Sequence, residues 1–579
     1  MPFCSPQWVP SLPFDPPDSV SISDFMQNES LRQVPLSRSR NPFTCGLTGT
    51  TYTHAELFAR SESLARALAD IHQWSPNEDT SWDKVVCIYS LNSIDYIAAA
   101  YAAHRLSGIV TPANATYTVE ELAHQLKTSG AKAVFTCSSL LATALQAADM
   151  TEIPRKNVYI LEIPTEPRPH DTSIVTVDQM ILKGYSLPPL EQLRFGKGQG
   201  SRQTAFLCYS SGTSGQPKAV MISHYNIIAN ILQHTTYESI GRSAKKVETQ
   251  VLLAPLPLSH IYALIVAAHV AVWRGDEYIV LPKYDLRWVL EAIQRFKVQQ
   301  MLVVPPILLQ MLRSSGVCKQ YDLSSVRFLF SGAAPLGEGT IKDVQRLYPD
   351  WTIGQAYGMT ETSVCVSAPS EHDIAPRASG SLLPGTLVKL LDDQGMEITE
   401  LDRPGEILVQ APSVVLGYLH NEKANAATFV HDGDGRWIRT GDVGLISRGQ
   451  SGNEQLVIVD RIKELIKVMG HQVAPAELEA HLLEHPAVAD CAVIQIPDDR
   501  AGEVPKAFVV KSPAFLAAAS FDLAETLSRW VTDHKAPYKA LRGGVEFVDA
   551  VAKSPSGKIL RRLLRDQDAE KRARARPRL

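Results

Sequence analysis

The 579-residue chain is an α/β protein by its pattern, and three observations predict it. Short apolar strands alternate with helix-like stretches for most of the length. After Pro384 the pattern changes to brief strands separated by Gly, Pro and Asp turns. Beyond Arg461 a compact α/β segment follows. Alternating strands and helices imply parallel sheets, whose ligands collect at the strand ends. At roughly 150 residues per domain the chain holds about three or four folding units.

Val85–Tyr89 is a strand, followed by a helix over Ile94–Leu106. Ala133–Cys137 leads into a helix over Leu140–Ala148, and Val158–Leu161 is a further strand. Gln300–Val304 ends at Pro305-Pro306, and Val326–Phe330 runs into Ser331-Gly332-Ala333-Ala334-Pro335. Val388–Leu391, Gly405–Gln410 and Leu456–Asp460 form the β-rich unit. The last segment offers strands at Cys491–Gln495, Ala507–Val510 and Val545–Val548, with helices over Pro475–Glu484 and Leu523–His534. The expected division is a large N-terminal domain, 1–460, with 385–460 its β-rich part. A C-terminal domain, 461–565, and a basic tail, 566–579, complete it. Leu187–Ser201, rich in Gly and basic residues, reads as an exposed connection, and no internal repeat is visible.

Composition removes several classes. With 45% hydrophobic and 20% charged residues the bulk of the chain is not disordered. A net charge of -4 supplies no global attraction to nucleic acid or anionic lipid. The eight cysteines lack CxxC or CxxH spacing, which argues for free thiols in a reducing compartment. No apolar stretch approaches the roughly 18 residues of a membrane span. The Pro-rich start lacks the basic and apolar regions of a signal peptide, so secretion is not expected. Lys571–Leu579 carries five positive charges in nine residues and closes with Pro577-Arg578-Leu579. A solvated helix end, a variant of the Ser-Lys-Leu peroxisomal address read by an import receptor, and a nucleic-acid arm are the readings in that order; no aromatic residues interleave for the last. Peroxisome or cytoplasm is the expected compartment.

The chemistry begins at Tyr209-Ser210-Ser211-Gly212-Thr213-Ser214-Gly215-Gln216-Pro217-Lys218, a hydroxyl- and Gly-rich turn between two strands. Its hydroxyls and exposed N–H groups can surround phosphate oxygens, and Lys218 adds a positive charge. It is not a Walker A loop, since Gly-x-x-x-x-Gly-Lys-Ser/Thr occurs nowhere in the chain. A Ser/Gly-rich loop taken alone is an ordinary loop. The full run with its Pro-Lys ending is specific, and it resembles the adenylate-forming, ATP-dependent superfamily of acyl-CoA synthetases, adenylation domains and luciferases.

Further runs follow in that superfamily's order. They are Pro257-Leu258-Ser259-His260-Ile261-Tyr262, Ser331–Leu336, Gln355-Ala356-Tyr357-Gly358-Met359-Thr360-Glu361-Thr362 and Thr440-Gly441-Asp442. Val459–Glu479 and Lys553-Ser554-Pro555-Ser556-Gly557-Lys558-Ile559-Leu560-Arg561 complete the set. Upstream, Pro17–Ile22, Phe43–Gly49 and Trp82–Val86 are similar to fungal phenylacetyl-CoA ligases, relatives of plant 4-coumarate-CoA ligases.

The resemblance implies a large N-terminal domain of two parallel-type α/β subdomains plus the β-rich part, with a small mobile C-terminal domain turning about Asp460-Arg461-Ile462-Lys463. It implies ATP, Mg2+ and coenzyme A, and two half-reactions: carboxylate plus ATP gives acyl-adenylate and pyrophosphate, then a thiol displaces AMP. Two anions meet in the first step, so positioning and charge neutralisation carry it. By resemblance Lys558 is the adenylation lysine, His260 holds or gates the acyl carboxylate, and Lys467 completes the catalytic set. Ser210, Ser211, Gly212, Thr213, Ser214, Gly215 and Lys218 grip phosphate. Ala333, Gln355, Tyr357 and Gly358 approach the adenine, Thr360 the α-phosphate, Asp442 the ribose, and Arg461 the ribose or a phosphate. Glu361 and Thr213 are the magnesium ligands, and Lys463 and Gly470 face CoA. Tyr262, Ala334 and Gln472 line the acyl pocket. Each also has a plainer reading: surface lysine, turn-capping Asp, core histidine, core aromatic.

Met469-Gly470-His471 departs from the Lys-Gly-aromatic run of plant relatives and removes one charge from the CoA face. Leu258–Trp273 contains no acidic residue to hold an α-ammonium, which disfavours an amino-acid substrate. An aryl or medium-chain acid is expected. Only 21 residues follow Lys558, too few for a carrier domain, so free CoA is the expected acceptor. A standalone enzyme loading a carrier protein, a luciferase-like oxygenase and a non-catalytic binding protein are the alternatives.

Overall fold

The computed structural model describes residues 2–167, 173–210, 217–498, 500–554 and 557–575. Ser211–Gln216, the centre of the hydroxyl-rich turn, and Arg576–Leu579 lie outside the described residues, as do Pro555 and Ser556.

Two seven-stranded sheets form the body. In the first, Val85–Tyr89 lies between Ile109–Ala113 and Ala133–Thr136, with Val158–Ile160 beyond, all parallel. Thr204–Ser210 continues beside Ile109–Ala113, then the chain returns antiparallel as Lys218–Ser223. The sheet is therefore mixed where alternation alone implied parallel strands. The reason is connection length: a parallel return needs a crossover of a dozen or more residues, and the hydroxyl-rich turn is shorter. Gly417–Tyr418 adds a two-residue antiparallel edge to Lys218–Ser223.

The second sheet orders Thr352–Gln355, Phe328–Ser331, Gln300–Val303, Val251–Leu253, Glu277–Val280 and Phe43–Cys45 in parallel, with Thr51–Tyr52 antiparallel at its edge. The first-sheet strand Val85–Tyr89 and the second-sheet strand Gln300–Val303 are fully buried, which is why Val85–Tyr89 and Met301–Val303 read as apolar runs.

Helix His224–Ala244 is buried over most of its length, so it shows no polar stripe. Its start is set by a reciprocal cap: Asn226 N donates to Ser223 Oγ at 3.1 Å and Ser223 N to Asn226 Oδ1 at 3.0 Å. Asn226 Nδ2 then donates to the carbonyls of Pro412 and Val414 at 2.9 and 3.0 Å, tying the helix to the segment that leads into Tyr418. The apolar run after His260 winds as a π-helix over Ala263–Ala271. Such wide turns are rare and gather near functional sites.

Helix Val177–Tyr185 packs on helix His54–His72 through Gly184, where an added Cβ would sit 1.8 Å from the Ser63 carbonyl oxygen. Backbone cannot yield there as a side-chain tip could. Gly184→Ala is expected to lower stability by about 3 kcal/mol, the upper end of ordinary overpacking. The denaturation midpoint of the variant reads it, and an unshifted midpoint would contradict the contact.

The β-rich part is antiparallel, through Leu387–Leu391, Gly405–Gln410, Gly435–Arg448 and Glu454–Arg461. It encloses its own core of Val388, Leu390, Ile407, Val409 and Ile438. Beyond Arg461, Ile466–Val468, His471–Val473, Val488–Asp498, Gly502–Lys511 and Val545–Phe547 make a five-stranded sheet, parallel only at its last pairing. Helices Pro475–Leu483 and Ser520–His534 cover it, closing a separate core that includes Ile466, Leu478, Val493, Val509 and Leu527. No helix among the described residues is long and apolar enough to cross a membrane.

Candidate active site

An open cleft of about 1660 Å³ lies where the second sheet's strand ends, the paired residues Ser210 and Lys218, the β-rich part and the last unit converge. Its position follows from the topology, because the strand Phe328–Ser331 delivers Gly332 and Ala333 and the strand Thr352–Gln355 delivers Tyr357–Glu361 to the same wall. Residues as far apart as Ser210 and Lys558 meet there.

Lys558 stands on a short hairpin. Ser554 N donates to its carbonyl at 2.8 Å, its own N–H donates to Ser554 Oγ at 3.2 Å, and Lys553 bridges Ile559. Just beyond, Arg561 is buried: it donates to both oxygens of Glu479 at 2.7 and 2.8 Å, to Glu464 at 2.5 Å and to the Val493 carbonyl at 3.1 Å. The hairpin docks on the large part, since a Cβ at Gly557, whose φ is +80°, would meet Pro306 at 3.1 Å. Burial lowers the Lys558 ammonium to about 8; Arg461 pushes the same way, while Glu464, Asp442 and Glu361 oppose.

His260 lines the same cleft. Burial, with the charge of Lys558, lowers its imidazole to about 4, so it is neutral. Tyr262 N donates to its Nδ1 at 3.3 Å, which assigns the proton of the neutral ring to Nε2. Tyr262 spends its hydroxyl on the Phe330 carbonyl at 2.6 Å and presents a ring. With Phe330, Gly332, Val364 and Cys365 it makes the apolar end of the cleft. Val364 has φ +99°, strained for a β-branched residue, and its carbonyl accepts from Thr362 Oγ1 at 3.1 Å. That carbonyl would lie 1.5 Å from a Cβ at Gly358, so only glycine fits there.

Asp442 is 6% exposed. Tyr357 OH donates to its Oδ2 at 2.7 Å, and Arg461 Nε approaches its Oδ1 at 3.3 Å. Tyr357 also packs in the β-rich core, which is the core-aromatic reading of the sequence, and it lines the cleft as well. Asp460, next to Arg461, accepts from Ala476 N at 3.0 Å and from Arg461 N at 2.7 Å, and burial pushes it up to about 6. Glu361 is 6% exposed and accepts at Oε1 from Ser210 Oγ at 3.1 Å and Tyr418 OH at 2.9 Å.

Ser210, Lys218, Ala333, Gly358, Thr360, Lys463, Lys467, Gly470 and Gln472 all line the cleft, Lys467 and Gln472 as cross-strand partners. Ala334 and Gln355 do not. Gln355 instead braces the Ala333 loop, accepting from Leu336 N at 2.5 Å and donating to Ser379 Oγ at 3.2 Å. Ser211, Gly212, Thr213, Ser214 and Gly215 lie outside the described residues. Tyr418, Phe330 and Val364 were not singled out in the sequence; Gly417-Tyr418 carries no periodicity that could have marked it.

The cleft gathers onto one surface residues from each of the runs that resemble the adenylate-forming superfamily. The chain belongs to the AMP-binding enzyme family, whose model matches residues 36–419, and the model of the AMP-binding enzyme C-terminal domain matches 477–558. It is 39% identical to an acyl-CoA ligase of Cordyceps militaris over 98% of this chain and 90% of the relative. It is 38% identical to an acyl-CoA ligase of Emericella nidulans over 98% of this chain and the whole of the relative. Among solved structures it is similar to the o-succinylbenzoate coenzyme A synthetase of Bacillus subtilis in complex with ATP and magnesium ion. That likeness has a TM-score of 0.74 and 25% identity, over 95% of this chain and the whole of the other.

Proposed function

We propose that this chain is an AMP-forming acid–CoA ligase acting on an aryl or medium-chain carboxylic acid. The observation that carries the reading is Lys558 in the cleft. A cation delivered beside His260, Asp442 and Arg461 neutralises charge where a carboxylate must approach a phosphate. Neutral His260 gives its Nε2–H to the acid's carboxylate without an ion pair that would quench its attack. Asp442, already oriented by Tyr357, accepts hydrogen bonds from a ribose diol, and Lys218 with Ser210 sits at the pyrophosphate end.

Magnesium in nucleotide sites takes one or two carboxylates and completes its shell with phosphates and water. Glu361 with the Ser210 hydroxyl beside it fits that donor set, and the bound ion would offset phosphate charge. The apolar Tyr262, Phe330 and Val364 walls suit an aryl or alkyl group and hold no carboxylate for an ammonium. Lys463 and Gly470 at the rim suit CoA, which the names of the Cordyceps and Emericella relatives also support.

A panel of acids assayed for pyrophosphate release with and without CoA tests the reading. Aryl or medium-chain acids should release pyrophosphate with ATP and magnesium, and AMP should appear only when CoA is added. AMP release driven by a carrier protein alone, oxygen uptake with light, or no pyrophosphate with any acid would replace it.

The Lys571–Leu579 run supports a peroxisomal address, as sequence chemistry alone. A fluorescent fusion ending in the intact tail should collect in peroxisomes, and one lacking Arg578-Leu579 should stay in the cytosol. Equal distribution of the two would contradict the address.

A further inference from the structure

Tyr418 stands between the cleft's phosphate-side cation and its carboxylate. Its hydroxyl donates to Glu361 Oε1 at 2.9 Å, and Lys218 Nζ lies 4.6 Å from the centre of its ring. The side chain is 4% exposed and packs at a tilt on Phe429, 5.8 Å between centroids. A two-residue edge strand is a weak support, and here a side-chain clamp strengthens it. Tyr418 N donates to Asn425 Oδ1 at 2.7 Å, and Asn425 Nδ2 donates back to the Tyr418 carbonyl at 2.9 Å.

Two consequences follow from this geometry. A phenol donating to a carboxylate is a charge-assisted bond that fixes the carboxylate plane. Both bonds fall on Oε1, and among the described residues Oε2 accepts none. Lys218, on a flexible four-carbon stem, makes no ion pair among the described residues, and its ammonium lies over the face of the ring. A lysine free to fold onto Glu361 would remove both groups from their ligands at once.

We propose that Tyr418 is a positioning residue for the phosphate end of the cleft. Its ring holds Lys218 apart from Glu361, and its hydroxyl orients Glu361 so that one oxygen is kept for a divalent cation. The proposal rests on the reading of Glu361 as the magnesium carboxylate.

Calorimetric titration of ATP into the full-length protein separates the two jobs, once in EDTA and once in magnesium chloride. Tyr418→Phe keeps the ring and loses the hydroxyl. Its ATP affinity in EDTA should stay within about twofold of the parent, while affinity in magnesium falls about tenfold, the scale of one lost hydrogen bond to a charged group. The magnesium concentration for half-maximal pyrophosphate release should rise by a similar factor. Tyr418→Leu should also weaken ATP in EDTA, by about threefold to tenfold, as the cation–ring contact is lost. Equal weakening of Tyr418→Phe in both media, or none in either, would overturn the proposal, and because phenylalanine preserves the packing a folding defect would not mimic the expected split. Glu361→Gln runs in parallel. If it leaves magnesium dependence unchanged, the metal reading fails and the proposal with it. If it shifts magnesium dependence and Tyr418→Phe does not, only the role of Tyr418 is lost.

Discussion

Replacing Lys558 with alanine should lower acyl-adenylate formation by on the order of a thousandfold, the upper range for removing one preorganised charge-stabilising group. Transfer from supplied acyl-adenylate to CoA should fall by less than about threefold, because that step meets no second anion at phosphorus. The protein should remain folded, since the hairpin is held by Ser554 and Arg561 and not by the ammonium. Rapid quench of each half-reaction separately reads the split, and equal loss in both would refute the role.

A pH profile adds a sign to the same prediction. Lys558 is lowered to about 8, chiefly by burial, so it is charged below that pH and loses its charge above it. The kcat/KM of adenylation for ATP, which reports the free enzyme, should therefore decline as pH rises through about 8. In Lys558→Arg the decline should move beyond the accessible range, because guanidinium keeps its proton. A limb that stays near the same pH in the arginine variant would belong to another group.

The second large effect is expected at the junction. In the present arrangement Asp460 caps the start of helix Pro475–Leu483 through Ala476 N, and Ile462 N donates to the Gly441 carbonyl at 2.9 Å. We propose that residues beyond Asp460 turn as a body between half-reactions, so that Lys558 leaves and the Lys463–Gly470 surface enters. Proline at 460 restricts φ to about −65° and opposes that turn. Asp460→Pro should keep most adenylation and lose thioester formation by on the order of a hundredfold, the scale of misplaced reacting groups. Asp460→Ala, which removes the carboxylate but leaves rotation free, should retain far more transfer. Equal losses in both steps for the proline variant would argue against alternation.

Local features of the fold were legible in the sequence. Val85–Tyr89 and Met301–Val303 are buried on both faces, so burial itself writes the apolar run. The start of helix Pro475–Leu483 is marked locally, by the proline in its own first turn. Strand direction was not legible: nothing in Lys218–Ser223 states that it returns antiparallel, and only the short turn before it requires that. The π-winding of Ala263–Ala271 was equally hidden, because an apolar stretch suits several helical pitches.

The candidate site shows the same divide. Motif residues could be named because each sits in a distinctive local run, although Ser210 and Lys558 are 348 positions apart (558 − 210). Tyr418 acts on Glu361 across 57 positions and on Lys218 across 200 (418 − 218), from a Gly-Tyr pair whose meaning depends on three segments converging. The strained φ of Val364 and the Gln355 brace likewise exist only once the strand ends are assembled.

The most direct measurement is a single turnover with ATP labelled at the α-phosphate, magnesium and an accepted acid, quenched before and after CoA is added. The label should first appear in an acyl-adenylate with stoichiometric pyrophosphate, and CoA should then convert it to AMP with one acyl-CoA formed. Label in ADP with release of orthophosphate, or AMP formed with no thioester, would contradict an AMP-forming acid–CoA ligase.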